Sequence, residues 1–179
     1  MIIAAIPVGF CAGLFGIGGG LISVPFLFFI FDTLIIDKQY IMHLSVGTAF
    51  SITIMTSSAS VMTHRKHGAV DFNLLKTFGL FVGIGVIFGT LLASFLNTKT
   101  LDLLFSVIVY FFGAYLLLIQ ENSKKFKAKF NILPKIILGF FSGFVSAPMG
   151  ITGAMINVPI LKYFGYSIKK AIGTAASIG

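Results

Sequence analysis

Residues 9–26 read GFCAGLFGIGGGLISVPF, and the fold turns on them. A hydrophobic run that begins at Met1 breaks on Gly16, Gly18, Gly19 and Gly20, resumes, and meets Pro25. Glycine is the poorest helix former after proline, so the cluster predicts an interrupted helix. Hydrocarbon offers no hydrogen-bond partners to an exposed backbone, so the break is expected to be buried against protein or to line a cavity. The surroundings are apolar enough for a bilayer. The 179 residues are 57% hydrophobic and 10% charged, where a soluble domain is about one quarter charged. Several apolar runs reach the ~20 residues that span hydrocarbon. The chain reads as an all-α, polytopic membrane protein.

Beyond the glycines the chain alternates apolar runs with short polar connections. Residues 1–31 form a broken element, and 32–40 a connection bearing Asp32 and Asp37. Spans are expected over 43–63, 72–96 and 101–120, completing a first repeat at 1–120. His64, Arg65, Lys66 and His67 form a basic turn between the first two spans. A basic linker at 121–133 follows, with Lys124, Lys125, Lys127 and Lys129. A second broken element is expected over 134–161, opened by Pro134 in a position that a helix start tolerates, and another span begins near 171.

Three blocks of the first segment return in order. Gly9-Phe10-Cys11-Ala12-Gly13 returns as Gly139-Phe140-Phe141-Ser142-Gly143. The run from Gly16 to Pro25 returns from Gly150 to Pro159, and Val46-Gly47-Thr48-Ala49-Phe50-Ser51 returns as Ile172-Gly173-Thr174-Ala175-Ala176-Ser177. The second copy, at 134–179, lacks counterparts of the last two spans, and a C-terminally truncated second repeat is expected.

Charge guides topology. The net charge is +8, and its carriers sit mainly in connections, where Lys and Arg set orientation toward the cytoplasm. They are read as topology signals and lipid headgroup contacts, with no nucleic-acid partner. The Arg65/Lys66 turn and the 121–133 linker are two spans apart and share a side. If the broken elements cross the membrane, Lys162, Lys169 and Lys170 fall outside; if they are re-entrant hairpins, these lysines stay inside. The re-entrant reading is preferred. It gives three crossings per repeat and therefore inverts the second repeat, a known transporter plan with discontinuous helices meeting near mid-bilayer.

The chemistry is defined partly by what is missing. The acids Asp32, Asp37, Asp71, Asp102 and Glu121 fall at or near predicted span ends, so no carboxylate is placed to relay protons within the membrane. His43, His64 and His67 also lie at ends, no cluster has metal-ligand spacing, and no nucleophile–base pair stands out. The protein is not expected to be an enzyme, and no cofactor or metal is expected. What remains is a pair of glycine turns and a set of hydroxyls. A half-helix N-terminus presents free N–H groups and partial positive charge, and such an end suits an oxyanion. The expected substrate-binding residues are Gly18, Gly19 and Gly20 in the first copy and Thr152, Gly153 and Asn157 in the second. Thr48, Ser51, Thr174 and Ser177 join them, since hydroxyls three residues apart share a helical face. Each group has a plainer reading: small-residue helix packing for the glycines and bonding to the carbonyl four residues back for the hydroxyls. Gly79, Gly83, Gly85 and Gly89 read as a packing face.

These motifs resemble the sulfite exporter TauE/SafE family of membrane transporters. The resemblance rests on GxxxGxxGIGGGxxxxP at 9–25, the VGT–S block at 46–51, their weaker copies at 139–159 and 172–177, and the basic turn after the second element. It covers essentially the whole chain. It implies a repeated all-helical transporter, linked to export of sulfite, sulfoacetate or related small organosulfur anions. The expected function is export of such an anion by alternating access across the cell membrane, that of a bacterium by expectation. The expected partners are a small anionic substrate, membrane lipid and a possible second copy of the chain. An anion channel and a non-transporting scaffold subunit are the alternatives.

Overall fold

The computed structural model describes residues 20–34, 37–118, 131–151 and 153–178. Seven helices account for almost all of them: α1 (Gly20–Thr33), α2 (Ile41–Lys66), α3 (Phe72–Phe95), α4 (Thr98–Leu118), α5 (Ile132–Ser146), α6 (Ala154–Tyr163) and α7 (Ile168–Ile178). No strand occurs among the described residues. α2, α3 and α4 are each long and apolar enough to cross a membrane. At ~1.5 Å per residue, the 26 and 24 residues of α2 and α3 exceed the ~30 Å of hydrocarbon. These helices lie over the expected spans 43–63, 72–96 and 101–120, with described ends that differ by a few residues. Large apolar side chains point away from the protein, with Met55 79% exposed and Phe95 85% exposed. In a soluble domain such surface would be a liability; on a membrane protein it faces lipid.

The helix ends follow local chemistry. Asp71 caps α3, accepting a hydrogen bond from the Leu74 N–H at 3.1 Å. Gly68, at φ 62°, provides the left-handed residue that closes the α2–α3 connection. At the other end Asn97 Oδ1 accepts from Thr100 N at 2.8 Å and starts α4.

The α3–α5 pair forms the spine. Gly85 lies against the Phe140 carbonyl, Gly143 against the Val82 carbonyl and Gly89 against the Phe144 carbonyl. Only hydrogen side chains let two helix backbones approach this closely, the small-residue packing usual between membrane helices. The glycine series is therefore a packing face at Gly85 and Gly89. Among the described residues nothing comes within 4 Å of the Gly83 Cβ position, and Gly79 meets Ile178. The contacts also fix direction. Gly139 sits at Phe78, Gly143 at Val82 and Ala147 at Gly89, so α5 runs parallel to α3 from the same end.

α6 then turns back. Ser142 of α5 is bonded to Asn157 of α6, and Leu161, late in α6, is buried with Leu74 and Phe78 near the start of α3. α5 and α6 thus make an antiparallel hairpin whose two open ends lie at the Phe72 end of α3. α7 leaves from that end too, with Gly173 against Ala69 and Thr174 bonded to Asp71. Arg65, Lys66, Lys76, Lys135, Lys162, Lys169 and Lys170 consequently gather toward one end of the bundle. The opposite end carries Asp32, Asp37, Lys38, Lys99 and Asp102, with Lys38 and Asp32 3.4 Å apart.

α1 packs antiparallel on α2 through Val24, Leu27, Met42, Val46 and Ala49. Leu101 and Phe105 of α4 close this core, and Met149 and Ile151 enter it from the α5–α6 turn. The turn is thereby gripped by α1, α2 and α4.

Candidate functional site

The α5–α6 turn is where Gly20, the described end of the first glycine motif, meets the second. α5 ends at Ser146 because its carbonyl is taken by the folding-back chain: Met149 N donates to it at 3.2 Å and Ile151 N at 3.4 Å. Gly150 has φ 61°, a conformation that costs other L-residues energy. A side chain there would also meet Val24 Cγ2 at 3.0 Å and Val46 Cα at 3.3 Å. Gly20, the first described residue of α1, lies directly against the Gly150 carbonyl, with the Ile151 Cα only 2.8 Å from where its Cβ would be. Two independent demands, backbone conformation and interelement approach, thus fix glycine at 150, and approach alone fixes it at 20.

α6 opens at Gly153, which is its N-cap and offers no side chain to the first turn. Its carbonyl accepts from Asn157 N at 2.7 Å. The N–H groups of Ala154, Met155 and Ile156 belong to the first turn, which has no intrahelical acceptors for them. Beside that turn stands Asn157, fully buried. Its Oδ1 accepts from the Ser142 hydroxyl at 2.5 Å. Its Nδ2 has no hydrogen-bond partner among the described residues and lies 2.7 Å from where a Gly153 Cβ would be. Ser146, also buried, donates to the Ser142 carbonyl at 2.6 Å. An unpartnered buried amide costs about 1–3 kcal/mol, so its persistence at a helix N-terminus calls for an explanation.

Of the residues expected to bind substrate, Gly20, Gly153 and Asn157 gather at this turn. Gly18, Gly19 and Thr152 lie outside the described residues. Thr48 is half-buried on α2, two residues beyond Val46, which packs on Gly150. Ser51 is exposed and bonds back to the Gly47 carbonyl at 3.1 Å; Ser177 does the same to Gly173 at 2.8 Å. These two hydroxyls follow the plainer reading. Ser45, Thr56, Ser58 and Thr63 on α2 repeat it.

Thr174 differs most from expectation. It is fully buried at the opposite end of α3 from the turn, and its hydroxyl accepts from Asp71 N at 3.0 Å. It thus ties α7 to the start of α3. Nearby, partial burial first and then the Asp71 carboxylate push the Tyr166 phenol above its ordinary value.

Ser142 and Ser146 were not among the expected site residues. Their signal was present: with Gly139 and Gly143 they form one i, i+3, i+4, i+7 face. His43 was also passed over. One ring nitrogen lies 3.2 Å from the Ala93 carbonyl, and the other, Nδ1, is buried without a partner among the described residues. A separate groove of about 490 Å³ opens between α1, α2 and α4, lined by Val24, Pro25, Phe28, Met42, Asp102 and Phe105 among others. No group of three or more His, Cys, Asp or Glu able to hold a metal occurs among the described residues.

Comparison with known proteins agrees with this architecture. A protein of Haemophilus influenzae named "Probable membrane transporter protein" is 29% identical over 171 residues, covering 96% of this chain and 65% of that protein. A probable membrane transporter protein of Methanocaldococcus jannaschii is 30% identical over 183 residues, covering 100% of this chain and 66% of the relative. A third, from Bacillus subtilis, is 22% identical and is covered over 72% of its length. The chain thus spans about two thirds of the length of the first two relatives. No solved structure matches it. The family model described as "Sulfite exporter TauE/SafE" matches residues 1–179, so the chain belongs to the TauE/SafE family.

Proposed function

We propose that this chain forms the greater part of a carrier that moves a small anion across the cell membrane, and that the anion binds at the α5–α6 turn. The observation that carries the reading is the contact of Gly20 with Gly150 beside an α6 N-terminus that holds the fully buried Asn157, whose Nδ2 has no partner among the described residues. Helix N-termini attract oxyanions through free N–H groups and the helix dipole. Neutral donors stabilise an anion without trapping it as tightly as a lysine would. Sulfite or a small organosulfonate has the size and charge for such a site, and the family description favours that class.

The α5–α6 hairpin is read as re-entrant, entering from the basic, cytoplasmic face, with α1 belonging to an element that enters from the opposite face. The two repeats are then inverted, and rocking of one against the other exposes the turn alternately. An inside-negative potential favours anion exit by ~2.3 kcal/mol per charge per 100 mV, so export needs no intramembrane proton relay.

Flux from proteoliposomes tests the proposal. Gly153 has an ordinary helical conformation, φ −53° and ψ −8°, so Gly153→Ala leaves the backbone unstrained. Its methyl would strike Asn157 Nδ2 and displace the amide. Sulfite or sulfonate efflux is expected to fall at least tenfold in this variant with the protein still folded. Undiminished efflux would remove the turn from the transport path.

A further inference from the structure

We infer that α3 and the α5–α6 hairpin move as one body during transport, turning about the α3 axis against α1, α2 and α4, so that the moving boundary cuts through the first repeat. The inference rests on the carrier reading above and names the elements that move in it.

α3 is joined to α2 by the turn at 67–71 and to α4 by residues 96 and 97 alone. Connections this short ordinarily leave antiparallel helices packed side by side. Here, among the described residues, α3 packs along neither α2 nor α4. It meets the core of α1, α2 and α4 through Ala93 and Leu96 at its end, where the Ala93 carbonyl lies 3.2 Å from His43 Nε2. Along its length its partner is α5, a helix of the second copy of the motif.

The two interfaces differ in kind. Between α3 and α5 the contact is backbone on backbone: Gly85 lies at the Phe140 carbonyl, Gly89 at the Phe144 carbonyl and Gly143 at the Val82 carbonyl. Sliding one helix along the other would drive these carbonyls into the side chains that flank each glycine, so the pair is fixed in register. Leu161 of α6 is buried with Leu74 and Phe78 of α3, and the Ser142–Asn157 bond holds α6 to α5. Against α1, α2 and α4 the hairpin presents Met149 and Ile151, which lie among Val24, Leu27, Val46, Leu101 and Phe105. Apart from the one approach of Gly20 to Gly150, this seam is side chain on side chain, the kind of contact that repacks during small rigid-body shifts.

α3 is tied at both ends by its short connections. It cannot travel along the membrane normal, but it can turn about its own axis and carry the hairpin with it. Such a turn draws Met149 and Ile151 out of their core and uncovers the tip beside Asn157. α7 packs on α2, α3 and α6 and stands where the seam reaches the basic end.

Two cysteine pairs in a Cys11→Ser background of the full chain separate this motion from rocking of whole repeats. Phe88→Cys with Phe140→Cys joins α3 to α5, whose rings there are 5.9 Å apart. Val24→Cys with Met149→Cys joins α1 to the hairpin tip across the seam, within one buried core. Each pair is bridged with dibromobimane, which fluoresces once both arms have reacted and leaves thioethers that sulfite does not cleave. Sulfite efflux from proteoliposomes is compared before and after bridging of the same protein. The Phe88/Phe140 bridge is expected to leave efflux within about twofold, and the Val24/Met149 bridge to lower it by about tenfold or more. Loss of efflux on bridging Phe88 to Phe140 would overturn the inference and leave the carrier standing, because α3 would then move against the hairpin. Undiminished efflux with the Val24/Met149 bridge would overturn it as well. Absence of efflux from the unbridged protein would overturn the carrier reading and the inference with it. If the buried Val24/Met149 pair does not fold, the Phe88/Phe140 pair decides alone, since rocking of whole repeats requires that bridge to block transport.

Discussion

Replacing Gly143 by alanine should loosen the bundle, whereas the same change at Gly83 should not. A Gly143 methyl would overlap the Val82 carbonyl oxygen and lie 2.9 Å from both Val82 C and Val86 N. These are backbone atoms in the middle of a hydrogen-bonded helix and cannot rotate aside. Ordinary contact requires ~3.5–4.0 Å, so α3 and α5 must separate by at least about 0.6–1 Å, and by more to clear the overlapped Val82 oxygen. A gap of that size forfeits a quarter to a half of each contact's well, at ~0.1–0.2 kcal/mol per atom pair. Over some twenty to forty pairs along this crossing the loss is about 1–3 kcal/mol, the range usual for overpacking. Gly83 lies on the same helix, yet a methyl there meets nothing within 4 Å. Gly83→Ala should be neutral or should gain up to ~1 kcal/mol through helix propensity. The assay is reversible unfolding of the detergent-solubilised protein, followed by circular dichroism. A double variant adds a second check. Gly85→Ala forces the same separation against the Phe140 carbonyl, so its cost on top of Gly143→Ala should be well below its cost alone. Equal effects at Gly143 and Gly83, or strict additivity of Gly85 and Gly143, would refute the close-crossing account.

Two further outcomes follow from other parts of the molecule. Thr174→Val keeps the shape of a buried side chain and leaves Asp71 N–H without its acceptor. It should cost about 1–3 kcal/mol of stability without changing anion efflux per folded protein; a loss of efflux would return Thr174 to the site. Single cysteines at Lys66, Lys162 and Lys169, in a Cys11→Ser background, should all be labelled by an impermeant maleimide from one face of the membrane. Cysteine at Lys99 should be labelled from the other, and opposite labelling of Lys66 and Lys162 would make the hairpin a crossing.

Some of this was legible from residue order alone. Long apolar runs bounded by polar connections have few outcomes in a bilayer, because every backbone group must be satisfied within its own segment. α2, α3 and α4 follow directly. Gly150 and Gly153 announced the α5–α6 interruption for the same local reason, and Gly85 and Gly89 announced close packing. The hydroxyls were less legible. Thr48, Ser51, Thr174 and Ser177 have the same spacing in both copies, yet Ser51 and Ser177 bond to their own helices while Thr174 bonds to Asp71, more than a hundred residues away in the chain. Spacing places a hydroxyl on a face; it does not say what stands opposite.

The sequence by itself determined that the chain is a helical membrane protein with long apolar spans joined by short polar connections. Composition and periodicity act locally, so they can be read locally. Only the tertiary structure decided that Gly20 meets Gly150, that α5 and α6 fold back to a single end, and that Ser142 holds Asn157 with its donors unspent. Those are contacts between segments far apart in the chain, fixed by how closely glycine lets backbones approach and by which buried acceptors are already taken.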